Sequence, residues 1–94
     1  MKIAFDPAKR DWTLRHRFLD FADAETVLMG VQFTVQDTRR NYGEPRYLTY
    51  GLLGDRLVAL CWTPRSSDGE FVHHIISMRK TNAREKARFQ NRLR

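Results

Sequence analysis

The alternation of apolar and polar side chains over residues 31–36 predicts a β-strand with one buried face. The polar segment Asp37 to Pro45 then predicts a loop. Three more strands are expected after it, over Arg46 to Leu53, Arg56 to Thr63 and Phe71 to Met78. A tight turn at Gly54-Asp55 and a second loop over Pro64 to Glu70 connect these strands. In the run Leu57 to Trp62 both the odd and the even positions are apolar, which indicates a central strand covered on both faces.

Signals for helix ends predict two helices before these strands. Asp6 followed by proline is a favourable start for a helix over Pro7 to about Arg17. Asp20 opens a second and better buried helix, which ends at Gly30. Lys2 to Phe5, ahead of the first helix, is a short candidate strand.

A third helix closes the chain, because Asn82 and Glu85 have the spacing of a capping box. The apolar face of this helix is narrow and consists of Ala83, Ala87 and Leu93. The order of elements predicts an α+β fold with an antiparallel sheet of about four to five strands, two N-terminal helices and a C-terminal helix. At 94 residues we expect one domain over the whole chain, 1–94, with a thin core of one sheet covered by helices on one face.

The net charge of +6 is concentrated at the end of the chain. From Arg79 to Arg94 there are seven basic side chains and one acidic side chain, Glu85, whereas residues 1–78 contain ten of each sign. A localised positive charge is typical of proteins that bind a polyanion or an acidic protein partner, and composition does not choose between these two.

Several kinds of site are excluded or disfavoured. The single Cys61 forms no internal disulfide and is expected to be a buried core residue. His73 and His74 are adjacent on a strand and point to opposite faces, so we expect no metal site and no cofactor. The longest apolar run, Leu57 to Trp62, is far shorter than the roughly 20 residues of a membrane span, and residues 1–6 are unlike a signal peptide, so we expect a cytoplasmic protein without membrane contact.

Charged residues gather where the predicted meander brings strand ends to one edge of the sheet: Arg39, Glu44, Arg46 and Arg65. Glu44 and Arg46 are either a surface ion pair or a base beside cations that hold phosphate oxygens. In a simple meander Arg79 lies at the opposite end from Arg46, about 23 Å away if seven residues advance roughly 3.3 Å each.

The junction between the last strand and the terminal helix is a second candidate site. Arg79 and Lys80 lie beside a helix N-terminus, whose free N–H groups favour anions, so they form a candidate phosphate site. Alternatively they only solvate the end of a core strand. Alternation places Arg79 on one face of the sheet with His73, Ile75 and Ser77. The aromatic residues of the strands are either stacking platforms for bases or core packing: Tyr47, Tyr50 and Trp62.

Five ordered motifs along nearly the whole chain are similar to those of a known family. They are Phe5-Asp6-Pro7-Ala8-Lys9, Leu19 to Ala24, Tyr42-Gly43-Glu44-Pro45-Arg46-Tyr47, Trp62-Thr63-Pro64-Arg65, and Ile75 to Lys80 with Glu85. The chain resembles the BrnT family, the toxins of type II toxin-antitoxin systems. Two positions depart from the pattern, with Thr13 in place of the usual asparagine and Phe18 in place of the expected glycine.

The resemblance implies a RelE-like fold, ribonuclease activity that arrests translation, and neutralisation by a cognate antitoxin with a ribbon-helix-helix DNA-binding domain. Four residues match motif positions and are expected to be catalytic: Glu44, Arg46, Arg65 and Arg79. Four others are expected to bind RNA: Lys9, Arg39, Lys80 and Arg84. Arginines would stabilise the charge of the transition state without a metal ion, and Glu44 or a histidine would transfer protons.

Two other functions use the same positive charge. In one, the protein binds nucleic acid or its antitoxin and cleaves nothing, which predicts RNA affinity that falls steeply with salt. In the other, it is chiefly the structural half of a repressor complex, and DNA is contacted only through the antitoxin.

Overall fold

The computed structural model describes residues 1–93. Its elements are β1 (Ile3–Phe5), α1 (Pro7–Arg17), a 3-10 turn (Phe21–Asp23), α2 (Ala24–Met29), β2 (Gln32–Gln36), β3 (Tyr47–Leu53), β4 (Arg56–Ser67), β5 (Glu70–Lys80) and α3 (Ala83–Arg92). This is the predicted α+β fold, with two N-terminal helices and one C-terminal helix around a sheet of five strands.

The sheet order is β1-β5-β4-β3-β2. Strands β2 to β5 form the predicted antiparallel meander, and β1 adds a parallel edge beside β5. The prediction of a loop over 64–70 is wrong, because β4 continues to Ser67 and only Asp68-Gly69 form the turn. Both turn residues have positive φ, 50° and 77°, which is the geometry of a tight hairpin.

The predicted starts of α1 and α3 are confirmed, whereas Asp20 caps the 3-10 turn and α2 begins only at Ala24. Asp6 accepts a hydrogen bond from the Ala8 amide at 2.9 Å and caps α1. Asn82 and Glu85 form the capping box of α3, each accepting a hydrogen bond from the other's backbone amide. Side-chain oxygens therefore satisfy amide groups in the first turn of each of these helices.

The core lies on both faces of β4, as its apolar run predicts. Val58, Leu60 and Trp62 pack with α2 on one face, and Leu57 and Ala59 pack on the other. On this second face α3 is anchored by the buried Phe89. The expectation of helices on one face only is therefore wrong, because Phe89 gives α3 a larger apolar contact than Ala83, Ala87 and Leu93 alone would provide.

A bulge in β5 determines which face each of its side chains occupies. Cys61 pairs with Ser77 and Trp62 pairs with Ile75, so Ile76 is an extra residue between them. Beyond the bulge the alternation is reversed, and Arg79 lies opposite Ala59 on the α3 side of the sheet. The expected placement of Arg79 on one face with Ile75 is therefore wrong.

Candidate functional site

The side of the sheet on which α3 packs carries most of the predicted site residues, and we call it the arginine face. Its residues are Arg46, Arg65, His74 and Arg79, with Glu44 on the loop beside them. Tyr47 is paired with Trp62, so continuing this register by one residue places Arg46 at the level of Thr63, and Thr63 is paired in turn with His74. The Thr63 hydroxyl donates to the Pro45 carbonyl at 2.6 Å, which attaches the loop to the sheet.

The structure brings together three of the predicted residues, Glu44, Arg46 and Arg65, which we call the Glu44 cluster. One Glu44 oxygen lies 3.8 Å from an Arg46 nitrogen, and the other lies 3.6 Å from an Arg65 nitrogen. All three side chains are partly exposed, between 28 and 49%. A single carboxylate is thus shared by two guanidinium groups at a surface that solvent reaches.

The contacts of the Glu44 cluster are longer than hydrogen bonds, which span about 2.7–3.2 Å for N–H···O. Guanidinium donors of Arg46 and Arg65 are consequently left to bind a ligand. The Nε of Arg46 is buried without a hydrogen-bond partner, while the head group stacks on the Tyr42 ring, 4.1 Å from its centroid. A buried donor without a partner is costly, so Arg46 has hydrogen-bonding capacity that the described residues leave unused.

Arg39, predicted to lie in the same group, has a different partner. It forms a two-point ion pair with Asp37, both contacts at 2.9 Å, and Tyr42 donates to the same carboxylate at 3.0 Å. The hydrogen bonds from Arg39 hold the pKa of the Asp37 carboxyl well below its usual range. Since the Asp37 side chain is only 2% exposed, this pair fixes the start of the loop.

Arg79 is likewise paired inside the protein. Both of its terminal nitrogens donate to Glu85, each at 2.9 Å, and these hydrogen bonds lower the pKa of Glu85 to about 2. The Glu85 carboxylate also accepts a hydrogen bond from the Asn82 amide, and the Asn82 side chain accepts one from the Glu85 amide. A carboxylate of the protein therefore already occupies both terminal nitrogens of Arg79, and the phosphate site proposed for Arg79 and Lys80 stays a prediction.

Arg79 nevertheless lies closer to the Glu44 cluster than expected. It is level with Ala59, and Arg46 is level with Thr63, so four residues of β4 separate them. This is about 13 Å along the strand, in place of the predicted 23 Å. The register between β4 and β5 and the extra residue Ile76 in β5 account for the difference.

The two adjacent histidines lie in different environments. His73 packs against Trp62 and Phe71 on the α2 side, with ring centroids 4.4 and 4.8 Å apart. His74 lies half-buried on the arginine face beside Thr63. Burial lowers the pKa of His74, and the positive charge of Arg65 lowers it further, so the ring is neutral at pH 7.

The other predicted RNA-binding residues lie outside the Glu44 cluster. Lys9 is exposed on the first turns of α1, and its charge acts on His74. Lys80 lines a groove of about 600 Å³ between α3 and the β3–β4 hairpin, and Arg84 is exposed on α3.

The aromatic residues of the strands serve core packing. Trp62 and Tyr50 are buried, and the indole nitrogen of Trp62 donates to Thr49 at 2.9 Å. Tyr47, which is partly buried, stacks on Trp62 with ring centroids 5.0 Å apart. Their alternative interpretation as stacking platforms for bases is therefore wrong for Trp62 and Tyr50.

Residues 1–93 contain neither a metal-binding cluster of side chains nor a membrane-spanning helix. Nowhere among them do three or more histidine, cysteine or acidic side chains gather as a metal-binding group. The helices in this part of the chain are also too short or too polar to cross a membrane.

A small α+β domain that gathers arginines and a histidine on one sheet face has the features of a protein that acts on nucleic acid. A family model described as the ribonuclease toxin, BrnT, of type II toxin-antitoxin systems matches residues 5–85. The chain therefore belongs to the BrnT family of ribonuclease toxins, and a toxin of this type has an antitoxin partner. A search among curated proteins found no match to the chain.

Proposed function

We propose that this protein is a metal-independent endoribonuclease that cleaves RNA and thereby inhibits translation. The observation that carries the proposal is the Glu44 cluster, in which two partly exposed guanidinium groups share one carboxylate at 3.6 and 3.8 Å. The same face contains His74, and the family is that of ribonuclease toxins.

Arg46 and Arg65 are proposed to hold the scissile phosphate. RNA cleavage by the neighbouring 2′-hydroxyl adds negative charge to the phosphate in the transition state, and arginine donors stabilise that charge. The fixed position of Arg46 favours this role, since Tyr42 stacks on it and Glu44 lies beside it. Glu44 orients the two guanidinium groups and is an electrostatic partner of both.

The catalytic role of the arginines is tested with Arg65→Ala and Arg46→Ala, assayed on labelled single-stranded RNA with EDTA present, with and without ribosomes. Loss of one transition-state donor typically reduces the rate by about 10²–10³-fold, and we expect that loss in each variant. Arg15→Ala is the matched control, because Arg15 is exposed on α1. If folded Arg46→Ala and Arg65→Ala both cleave within threefold of the parent protein, the proposal is wrong.

We also propose that the antitoxin is a ribbon-helix-helix protein and that DNA is bound only by the complex. The family supports an antitoxin, and the concentrated positive charge of residues 79–94 suits an acidic partner segment. Co-expression of the antitoxin gene should relieve the growth arrest caused by the toxin. In a gel mobility-shift assay, operator DNA should be retarded only by toxin and antitoxin together. Retardation by the toxin alone would contradict this assignment.

A second candidate function, a non-catalytic binding module or co-repressor, is favoured by the groove beside α3. Its floor includes Leu57 and Phe89, and its rim carries Arg56, Lys80 and Lys86. Such a groove suits an acidic segment with apolar side chains. If this were the main function, RNA would be recovered intact after steeply salt-dependent binding.

A further inference from the structure

We propose that His74 is the general base that takes the proton of the attacking 2′-hydroxyl. This assignment rests on the proposed ribonuclease function and adds a residue that none of the sequence motifs singled out for catalysis. It follows from the position of the ring on the arginine face rather than from composition.

His74 lies in the middle of the sheet row that leads to the Glu44 cluster. It pairs with Thr63 on β4 and with Ala4 on β1, and Arg46 continues the row on the far side of Thr63. Arg65 is two residues further along β4 from Thr63 on the same face. Diagonal neighbours of this kind are about 7–8 Å apart at the backbone, a separation that an imidazole and a guanidinium side chain span together around one phosphodiester.

The charged groups that face His74 come from three parts of the chain. Arg65 faces it from β4, Glu44 from the loop before β3, and Asp6 and Lys9 from the start of α1. Burial and the charge of Arg65 keep the ring neutral at pH 7, which is the state that a general base requires. The surrounding cations would also attract the RNA backbone to this position.

The other candidates for this role are less suited to it. Arginine stays protonated and accepts no proton at neutral pH. Glu44 directs its two oxygens at Arg46 and Arg65. His73 lies on the opposite face among aromatic rings, and its Nδ1 is buried without a partner.

The reaction balances with water as the only other participant. The 2′-oxygen forms a bond to phosphorus, and its proton passes to the neutral His74 ring. The bond from phosphorus to the 5′-oxygen breaks, and water gives that oxygen a proton. The hydroxide that remains takes the proton from the imidazolium, which restores the neutral ring. The products are a 2′,3′-cyclic phosphate and a 5′-hydroxyl.

The first test is the dependence of the cleavage rate on pH. The rate of the parent protein should fall about tenfold for each pH unit below the pKa of His74, which gives the pH–rate profile an acid limb. His74→Gln should cleave about 10²–10⁴-fold more slowly at pH 7, and its profile should lack this acid limb. His16→Gln is the matched control, because His16 is exposed on α1 and stacks on Trp12. Circular dichroism verifies the fold of each variant. If the parent protein shows no acid limb, the assignment is overturned whether or not the variants fold.

A second test separates a general base from a general acid. A substrate with sulfur in place of the 5′-oxygen releases its leaving group without a proton, so His74→Gln should remain slow on it. If this substrate restores the rate of His74→Gln, His74 acts as the acid and the proposal is wrong. Full activity of His74→Gln beside an inactive Arg65→Ala would overturn the role of His74 alone, whereas full activity of both Arg65→Ala and Arg46→Ala would overturn the proposed function itself.

Discussion

Replacing Glu85 with glutamine removes the charge that holds Arg79 beside the start of α3. The glutamine amide still accepts the Asn82 N–H, so the capping box is retained in the variant. What is lost is the negative partner of Arg79, whose two terminal nitrogens donate to Glu85 at 2.9 Å. Because the Glu85 side chain is only 8% exposed, water replaces this partner poorly.

The magnitude follows from the pKa of Glu85, which the hydrogen bonds from Arg79 lower from 4.5 to about 2. Each tenfold change in proton affinity corresponds to about 1.4 kcal/mol, which sets an upper limit of about 3 kcal/mol. Arg79 is 41% exposed and solvent screens part of the attraction, so we expect a loss of about 2–3 kcal/mol in the free energy of unfolding at pH 7.

The sign of the pH dependence is also fixed. The folded state binds the Glu85 proton more weakly than the unfolded state, so the stabilisation is complete above pH 4.5 and is lost as the pH falls towards 2. Urea unfolding followed by tryptophan fluorescence should show the difference between parent and Glu85→Gln at pH 7, and about half of it at pH 3. An equal difference at both pH values, or a difference below about 1 kcal/mol at pH 7, would refute this reasoning.

The same pair complicates the interpretation of Arg79→Ala. This variant leaves the buried Glu85 without its partner, so inactivity would report a damaged fold as readily as a lost phosphate contact. The double variant Arg79→Met with Glu85→Leu removes both charges while keeping side-chain volume. Retained cleavage by the double variant would assign Arg79 to structure, and inactivity in a stable double variant would assign it to RNA.

Three further changes test the fold. Phe18 has φ 58° at the end of α1, so Phe18→Gly should raise the free energy of unfolding by about 0.5–1 kcal/mol, measured in urea. Gly51→Ala should lower it by about 1–3 kcal/mol, since the added methyl group would lie 2.9 Å from Val27 Cγ1. Phe89→Ala should lower it by about 3–5 kcal/mol and detach α3, visible as faster amide hydrogen exchange in that helix. Unchanged stability in any of these variants would contradict the packing described for that position.

Local signals predicted most of the fold. The Asp6 and Asn82 caps identify the starts of α1 and α3, because a cap is a contact between residues two or three positions apart. The apolar run of β4 likewise identified the central strand of the sheet. These features are determined within a few residues, so they are readable from a single sequence.

The features that were not predicted depend on register. The extra residue Ile76 reverses the alternation of β5 and moves Arg79 to the other face, although no local signal marks the bulge. The side of the sheet chosen by α3 depends on the contact of Phe89 with Tyr50 and Ala59, which are 39 and 30 positions earlier in the sequence. The partners of the arginines could not be predicted for the same reason. The sequence does not indicate which guanidinium groups already form short hydrogen bonds with a carboxylate of the protein.

The energies of the ion pairs suggest where an RNA backbone can bind. Displacing Glu85 from Arg79 would cost about 2–3 kcal/mol, because a buried carboxylate would lose its partner. Displacing Glu44 from Arg65 would cost about 0–1 kcal/mol, because both side chains are exposed to solvent and their contact is 3.6 Å long. A phosphate therefore competes for a guanidinium group far more easily in the Glu44 cluster than at α3. This difference, rather than the number of positive charges, is why we assign phosphate binding to Arg46 and Arg65.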